Sequence, residues 1–428
     1  MLKLYYRPQS VSTRSLLVLA GVALSVVAAL RYVPARFPAL ERNLGRLQRV
    51  SDLPDRLMEA SYRASIAYDT IHCRRVQLGH ALLVIHDPAD TGMIGPSMSL
   101  VTSLPGHLSA KQTSVNPNFA AVAMQLMVDA GVGPGDRIAI GCTGSFPALN
   151  IAVITAAESL GTRPVVISSA ASSQYGANEV DFMWPDMERL LAAEGIIQTR
   201  SIMISRGGFR DRCAGMGDET RQLVESSIAR SGLPLMDSRD DTDAIDRRML
   251  AFAEAAQDEN YAAYINVGGG HASVGGTRGN DALGEGLIEP SDWSAKLGMG
   301  MVMNWFRDRF HQGSIDNATL APNRNGFVGN DCVASRFLAS RVPVINMIRT
   351  EKLARRFGLP IAPPVPVEVG QGGVYAIADP RRGLAVLGIG LILLTTAIVM
   401  RPPIAWVRRM ERSGHFGDDP ERQPRWML

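Results

Sequence analysis

The chain has 428 residues with 44 Lys+Arg against 41 Asp+Glu, a formal net charge of +3, so its charge gives no case for a nucleic-acid partner. At 46% hydrophobic and 20% charged residues, it has the composition of a folded protein, which excludes a disordered tail and a polytopic transporter. The mean hydropathy of +0.03 is still high for a soluble enzyme, and the apolar excess sits at the two ends.

Residues 15–30, SLLVLAGVALSVVAAL, carry no charge. Residues 383–400, GLAVLGIGLILLTTAIVM, are uncharged again, between Arg381-Arg382 and Arg401. Both approach the roughly 20 apolar residues that a helix needs to cross the hydrocarbon core, with flanking Arg and Tyr snorkelling. The expected organisation is a cytoplasmic segment over 1–14, a transmembrane helix over 15–33 and an α/β domain over 34–380. A second transmembrane helix over 383–400 and a basic tail over 401–428 follow. A cleaved signal is the alternative for the first run, but Leu30-Arg31-Tyr32 puts bulk where a cleavage site needs small residues. Arg401, Arg408, Arg409 and Arg412 outnumber Arg381 and Arg382, which places the tail in the cytoplasm and the middle domain outside it, at the inner membrane.

Between the ends, apolar runs of strand length stop at small or glycine-rich residues. In chain order these are Ala81 to Ile85, Arg137 to Gly141, Pro164 to Ile167, Tyr261 to Val267 and Val342 to Met347, the last running into a charged helix. Helical periodicity covers Asn118 to Ala130, Ala148 to Leu160, Met183 to Glu194, Glu219 to Ser231, Thr242 to Gln257 and Ser294 to Phe310. Alternation of this kind predicts an α/β fold: a mainly parallel sheet of Rossmann-like βαβ units flanked by helices. Ligands bind outside the carboxyl ends of such strands, so the loops at Thr143 to Ser145, Ser168 to Ser173 and Gly268 to Ser273 are expected on one rim.

On that rim Ser145 and His271 are the candidate catalytic residues. Ser145 stands where a strand turns into a helix, as an N-cap, an anion ligand or a nucleophile. His271 lies within GGGHASVGG, where it serves as general base, as ligand group, or as no more than part of an awkward loop. Thr143, Gly144, Ser168, Ser169, Gly269, Gly270 and Ser273 are candidate ligand-binding positions beside them, and Lys111, Arg206, Arg210 and Arg212 are candidate cations for a polyanion. No phosphate-binding glycine motif and no G-x-S-x-G elbow occurs, so no cofactor is expected. His72, His80, His86 and His107 fall near Asp87 and Asp90, but no metal-ligand spacing joins them. Asp90-Thr91-Gly92 has no second copy and reads as a turn. Cys73, Cys142, Cys213 and Cys332 form no C-x-x-C pair. An oxidising compartment permits disulfides among them, while Cys142 reads as a buried free thiol.

Several blocks resemble the poly-γ-glutamate system proteins: LYYRPQSVSTR, DPADTGMIG, KQTSVNPNFAAV, GSFPALNIAV, VVISSAASSQYGAN with MWPDMERLL, VGGGHASVGG and PVINMIRTEKLARRFGLPIAP. They are spread over almost the whole chain. The resemblance implies a membrane-anchored role in making, processing or exporting poly-γ-glutamate, with that polymer, the lipid bilayer and membrane proteins of the synthase complex as partners. It implies no catalytic residues. Three functions are thereby open: handling of the polymer outside the cytoplasm, a serine-type hydrolase or transferase acting on γ-glutamyl amide bonds, and a non-catalytic assembly scaffold.

Overall fold

The computed structural model describes residues 13–32, 52–257, 259–293, 331–375 and 380–399. The chain divides into two units, 1–44 with 378–428, and 45–377.

The first unit pairs two terminal helices, α1 (Thr13–Tyr32) and the last helix of the chain (Pro380–Val399). Gly388 lets them approach, because a Cβ there would lie 2.4 Å from Val26 Cγ1, whereas Gly21 and Gly390 face open space. Among the described residues no helix is long and apolar enough to cross a membrane. The spans expected at 15–33 and 383–400 are corrected to that extent. The two helices run over 20 residues each, about 30 Å of backbone, and their side chains are described over 17–26 and 388–397.

The second unit is the α/β fold. It opens with α2 (Leu53–Gln77), α3 (Leu108–Ser114) and α4 (Phe119–Asp129), followed by β1 (Arg137–Thr143), α5 (Pro147–Leu160) and β2 (Arg163–Ser169). A two-stranded ribbon, β3 (Asn178–Glu179) and β4 (Phe182–Met183), precedes α6 (Trp184–Ala193) and β5 (Ser201–Ser205). Then come α7 (Asp218–Ser231), β6 (Leu235–Met236), α8 (Asp241–Ala256) and β7 (Ala263–Val267). Two short helices, α9 (His271–Val274) and α10 (Gly276–Leu283), lead to β8 (Gly286–Ile288). The unit closes with α11 (Val333–Ala339), β9 (Val344–Met347) and α12 (Thr350–Arg356), so the terminal helix is α13.

The seven strands run in the order β6-β5-β2-β1-β7-β9-β8, and only β8 is antiparallel to its neighbour. β1 is central and alternates faces. Ile138 and Ile140 join the core formed with α2, α4 and α5, and Ala139 joins the opposite core with Tyr264, Phe252 and Phe337. α5 is buried at every position but Glu158, which takes Arg63 and the amides of Gln198 and Thr199. Pro147 opens the helix and Gly161, at φ +79°, ends it. The strand order reverses between β1 and β7, which puts the crevice for a ligand at their carboxyl ends.

The expected parallel α/β sheet is therefore present, as are the strands after Arg137, Pro164, Tyr261 and Val342. Residues 81–85 form no strand: Leu83, Val84 and Ile85 are exposed, the last at 79%, with no neighbouring strand to pair. The helix expected over Ser294 to Phe310 lies outside the described residues.

The β1 and β2 ends close against each other through bare backbone. The Gly144 N–H donates to the Ser169 carbonyl at 2.9 Å, and a Cβ on Gly144 would stand 2.3 Å from Ala170 O and 3.0 Å from Ala171 O. Backbone on both sides cannot give way, so Gly144→Ala should lower unfolding stability by about 2 kcal/mol or more, read from urea denaturation.

Candidate active site

The loops after β1, β2 and β7 meet on one rim. A Cβ on Gly268 would press on Thr143 Cγ2 at 2.7 Å, and one on Gly176 would strike Ser172 Oγ and the Ser145 carbonyl. Asn150, on α5, fixes the β1 loop by donating to the Thr143 carbonyl at 2.7 Å and accepting from its N–H at 3.2 Å. Ser145 donates its N–H to Thr143 Oγ1, and its own hydroxyl accepts the Ser173 N–H at 3.0 Å. It does not cap the following helix; Phe146 occupies that position.

At the centre of this rim is Lys111, delivered by α3. It is 2% exposed, and its Nζ donates to the Ser145 carbonyl and, at 2.9 Å, to Ser173 Oγ. It also lies 4.0 Å from the centre of the Phe146 ring. No carboxylate stands within ion-pair distance of it among the described residues. Burial alone pushes its pKa from 10.5 down to about 7. Thr350 and Glu351 of α12 hold α3 in place, the first donating to the Ala110 carbonyl and the second accepting from Ser109 Oγ.

The other expected positions divide. His271 is partly exposed, and its ring packs edge-on against Phe209 at 5.2 Å. Among the described residues no hydrogen bond joins it to Ser145. Ser273 hydrogen-bonds the buried Tyr264 phenol. Gly269 is exposed beside Asn280, and Gly270 caps α9. Ser169 stays at the rim, lending its carbonyl to Gly144.

Ser168 instead turns into the core, where its hydroxyl meets Ser201 Oγ at 2.6 Å and accepts Trp184 Nε1, while Ser201 donates to the buried Glu188. Burial raises the Glu188 pKa. Arg206 is held by Glu225 at 2.6 Å and Asp237 at 2.5 Å, and Arg210 sits 3.9 Å from Asp241. All four cysteines are free thiols, with Cys142, Cys213 and Cys332 buried and Cys73 exposed. The histidines near Asp87 part company: His72 pairs with Asp90 and His80 with Asp181, and His86 packs on Tyr175. Asp87 accepts from Thr91 and from the Gly92 N–H, which closes the Asp90-Thr91-Gly92 turn.

The pattern singled out Ser145, Ser168 and Ser169 and passed over Ser173, although Ser173 ends the run SSAASS that holds the last two. It counted Lys111 among the candidate cations for a polyanion. The available signal was a lone lysine in a segment otherwise without charge, LSAKQTSVNPNFAAV, with no acid at helical spacing.

Comparison of the chain with protein-family models, with curated proteins and with solved structures gave no match.

The depressed lysine has a thermodynamic signature. Between pH 7 and 10 the unfolded chain carries a proton on Lys111 that the folded chain has lost, so folding stability should rise with pH across that window. Lys111→Met should abolish this rise, on the order of a few kcal/mol, in denaturant unfolding at the two pH values.

Proposed function

We propose that the α/β unit is a serine-type acyl hydrolase or transferase, with Ser173 as nucleophile and Lys111 as its general base. The observation that carries this reading is the 2.9 Å contact between Lys111 Nζ and Ser173 Oγ, made by a buried amine with no carboxylate among the described residues to hold it charged. A structural lysine would be retained more cheaply as an apolar residue or as an ion pair. A lysine titrating near neutrality is matched to proton transfer.

In the reaction, Ser173 Oγ bonds to the carbonyl carbon of an amide as its proton passes to neutral Lys111 Nζ. The ammonium then gives that proton to the leaving nitrogen as the carbon–nitrogen bond breaks. Water or an acceptor amine takes the acyl group from Ser173, returning its own proton through Lys111. Ser145 is a positioning residue in this scheme: its hydroxyl fixes the Ser173 backbone, and its carbonyl aims Lys111.

The substrate we propose is the γ-linked glutamyl amide implied by the resemblance to poly-γ-glutamate system proteins, at the outer side of the inner membrane. The terminal helices support the anchoring part of this reading. Leu17, Leu24, Ile389, Leu393 and Leu394 are exposed, while Ser25, Thr395 and Thr396 return their hydroxyls to carbonyls of their own helices. A polymer receptor without chemistry is less favoured, because the rim arginine Arg206 is already neutralised by two carboxylates.

The test is release of the amine from a γ-glutamyl anilide by the full chain in detergent, with labelling by a fluorophosphonate. Activity should rise with pH about an apparent pKa near 7. Ser173→Ala should lose labelling and at least about a thousandfold in kcat, and Ser145→Ala should lose about ten- to a hundredfold. Labelling that persists undiminished in Ser173→Ala overturns the assignment.

A further inference from the structure

A polar cavity, of about 430 Å³, opens at the carboxyl ends of β5 and β6. Its wall begins at Arg206, whose carbonyl accepts the Ala171 N–H at 2.8 Å, two residues before Ser173. Three guanidinium groups line it, and their commitments differ. Arg206 is shared by two carboxylates, Glu225 and Asp237, which leaves that side with one negative charge in excess. Arg221 is balanced by Asp218. Arg212 touches only the Arg239 carbonyl, at 2.6 Å, and has no carboxylate partner among the described residues. Ser238, also in the lining and 7% exposed, has a buried hydroxyl with no hydrogen-bond partner among the described residues.

The loop that shapes this wall is held in an unusual conformation. Gly207, Gly208, Arg210, Asp211 and Cys213 all have φ between +53° and +76°, a region that side chains rarely adopt and that clusters at binding sites. A buried pair maintains it. Arg248 grips Asp211 through both terminal nitrogens, and Ser205 Oγ donates to Asp211 at 2.7 Å. The buried ion pair thus presents a guanidinium with no carboxylate partner among the described residues in the same lining as the Ser238 hydroxyl.

We propose that this cavity binds a free α-amino acid end, meaning an ammonium and a carboxylate on the same carbon. The carboxylate is taken by Arg212 and Ser238, and the ammonium by the excess negative charge of Glu225 and Asp237. A polyanionic strand is excluded, because those two acids repel it. A compact zwitterion satisfies both excesses and the orphaned hydroxyl at once. On the acyl-transfer reading above, the cavity selects the amino-terminal residue of a γ-glutamyl chain, since only that residue keeps a free ammonium next to its carboxylate. The binding itself does not depend on Lys111 or Ser173.

The test is calorimetric titration of the full chain with L-glutamate, and with glutarate, which keeps both carboxylates but lacks the ammonium. L-Glutamate should bind saturably and glutarate about tenfold more weakly or worse. Arg212→Gln should cost L-glutamate at least about tenfold in affinity, and Ser238→Ala several-fold. If Arg212→Gln does not fold, Ser238→Ala, which removes one oxygen and no charge, decides. No saturable heat up to about 10 mM L-glutamate, equal binding of glutarate, or unchanged affinity in the folded variants overturns the proposal. Lys111→Met should bind L-glutamate as the parent chain does. Its titration therefore separates failure of this cavity from failure of the acyl-transfer site, which serine labelling judges independently.

Discussion

The Lys111 amine is buried and meets no carboxylate among the described residues, so the surrounding fold has to hold it by oxygen dipoles and an aromatic face, or leave it neutral. Those groups come from distant parts of the chain. The Ser145 carbonyl and the Phe146 ring follow β1, Ser173 follows β2, and Lys111 arrives on a helix ahead of the sheet that α12, after β9, holds in place. A parallel sheet is the architecture that brings successive βα loops to one edge regardless of their separation in sequence. The dry lysine is therefore a property of the sheet as a whole, and it exists only while the loops stay packed.

Packing at that edge is achieved by leaving out side chains. Gly144, Gly176 and Gly268 sit where a Cβ would lie under 3 Å from backbone or side-chain atoms of the neighbouring loop. The carbonyls that would otherwise be stranded are taken up: Thr143 by Asn150, Ser169 by Gly144, Ser172 by Ser103. This compaction excludes water from Lys111, and water exclusion is what lowers its pKa. Backbone geometry and proton affinity are here one property.

Much of the fold was legible because the central strands are buried on both faces and write themselves as uninterrupted apolar runs, such as RIAIG and YAAYINV. The run at 81–85 has the same look but lacks a partner strand, and pairing is a tertiary fact that a local window does not contain. β5 and β6 were missed for the opposite reason. SIMIS is short and half polar, and β6 has two residues, so neither carries periodicity. At the site, the rim was legible from strand ends, but the identity of the partners was not. Ser145 drew notice as the residue at a strand-to-helix turn and His271 through its glycine-rich surroundings, whereas Ser173 and Lys111 are 62 residues apart and are joined by a tertiary contact between α3 and the β2 loop. Arg206 misled in turn, because the acids that neutralise it lie on α7 and just after β6.

A lysine base suits this architecture better than a histidine. Imidazole titrates near neutrality in water and needs a third group to choose its tautomer and aim, and His271, partly exposed against Phe209, has no such group among its hydrogen bonds in the described residues. Here an amine reaches the same range by burial, and its single nitrogen has no tautomers, with free rotation about the terminal C–N bond, so no orienting acid is required. The cost of dehydrating it is met by the folding of the rim. Water admitted to the β1 and β2 loops would return the Lys111 pKa towards its ordinary value, so the packing of these loops and the basicity asked of Lys111 in the proposed reaction are one requirement.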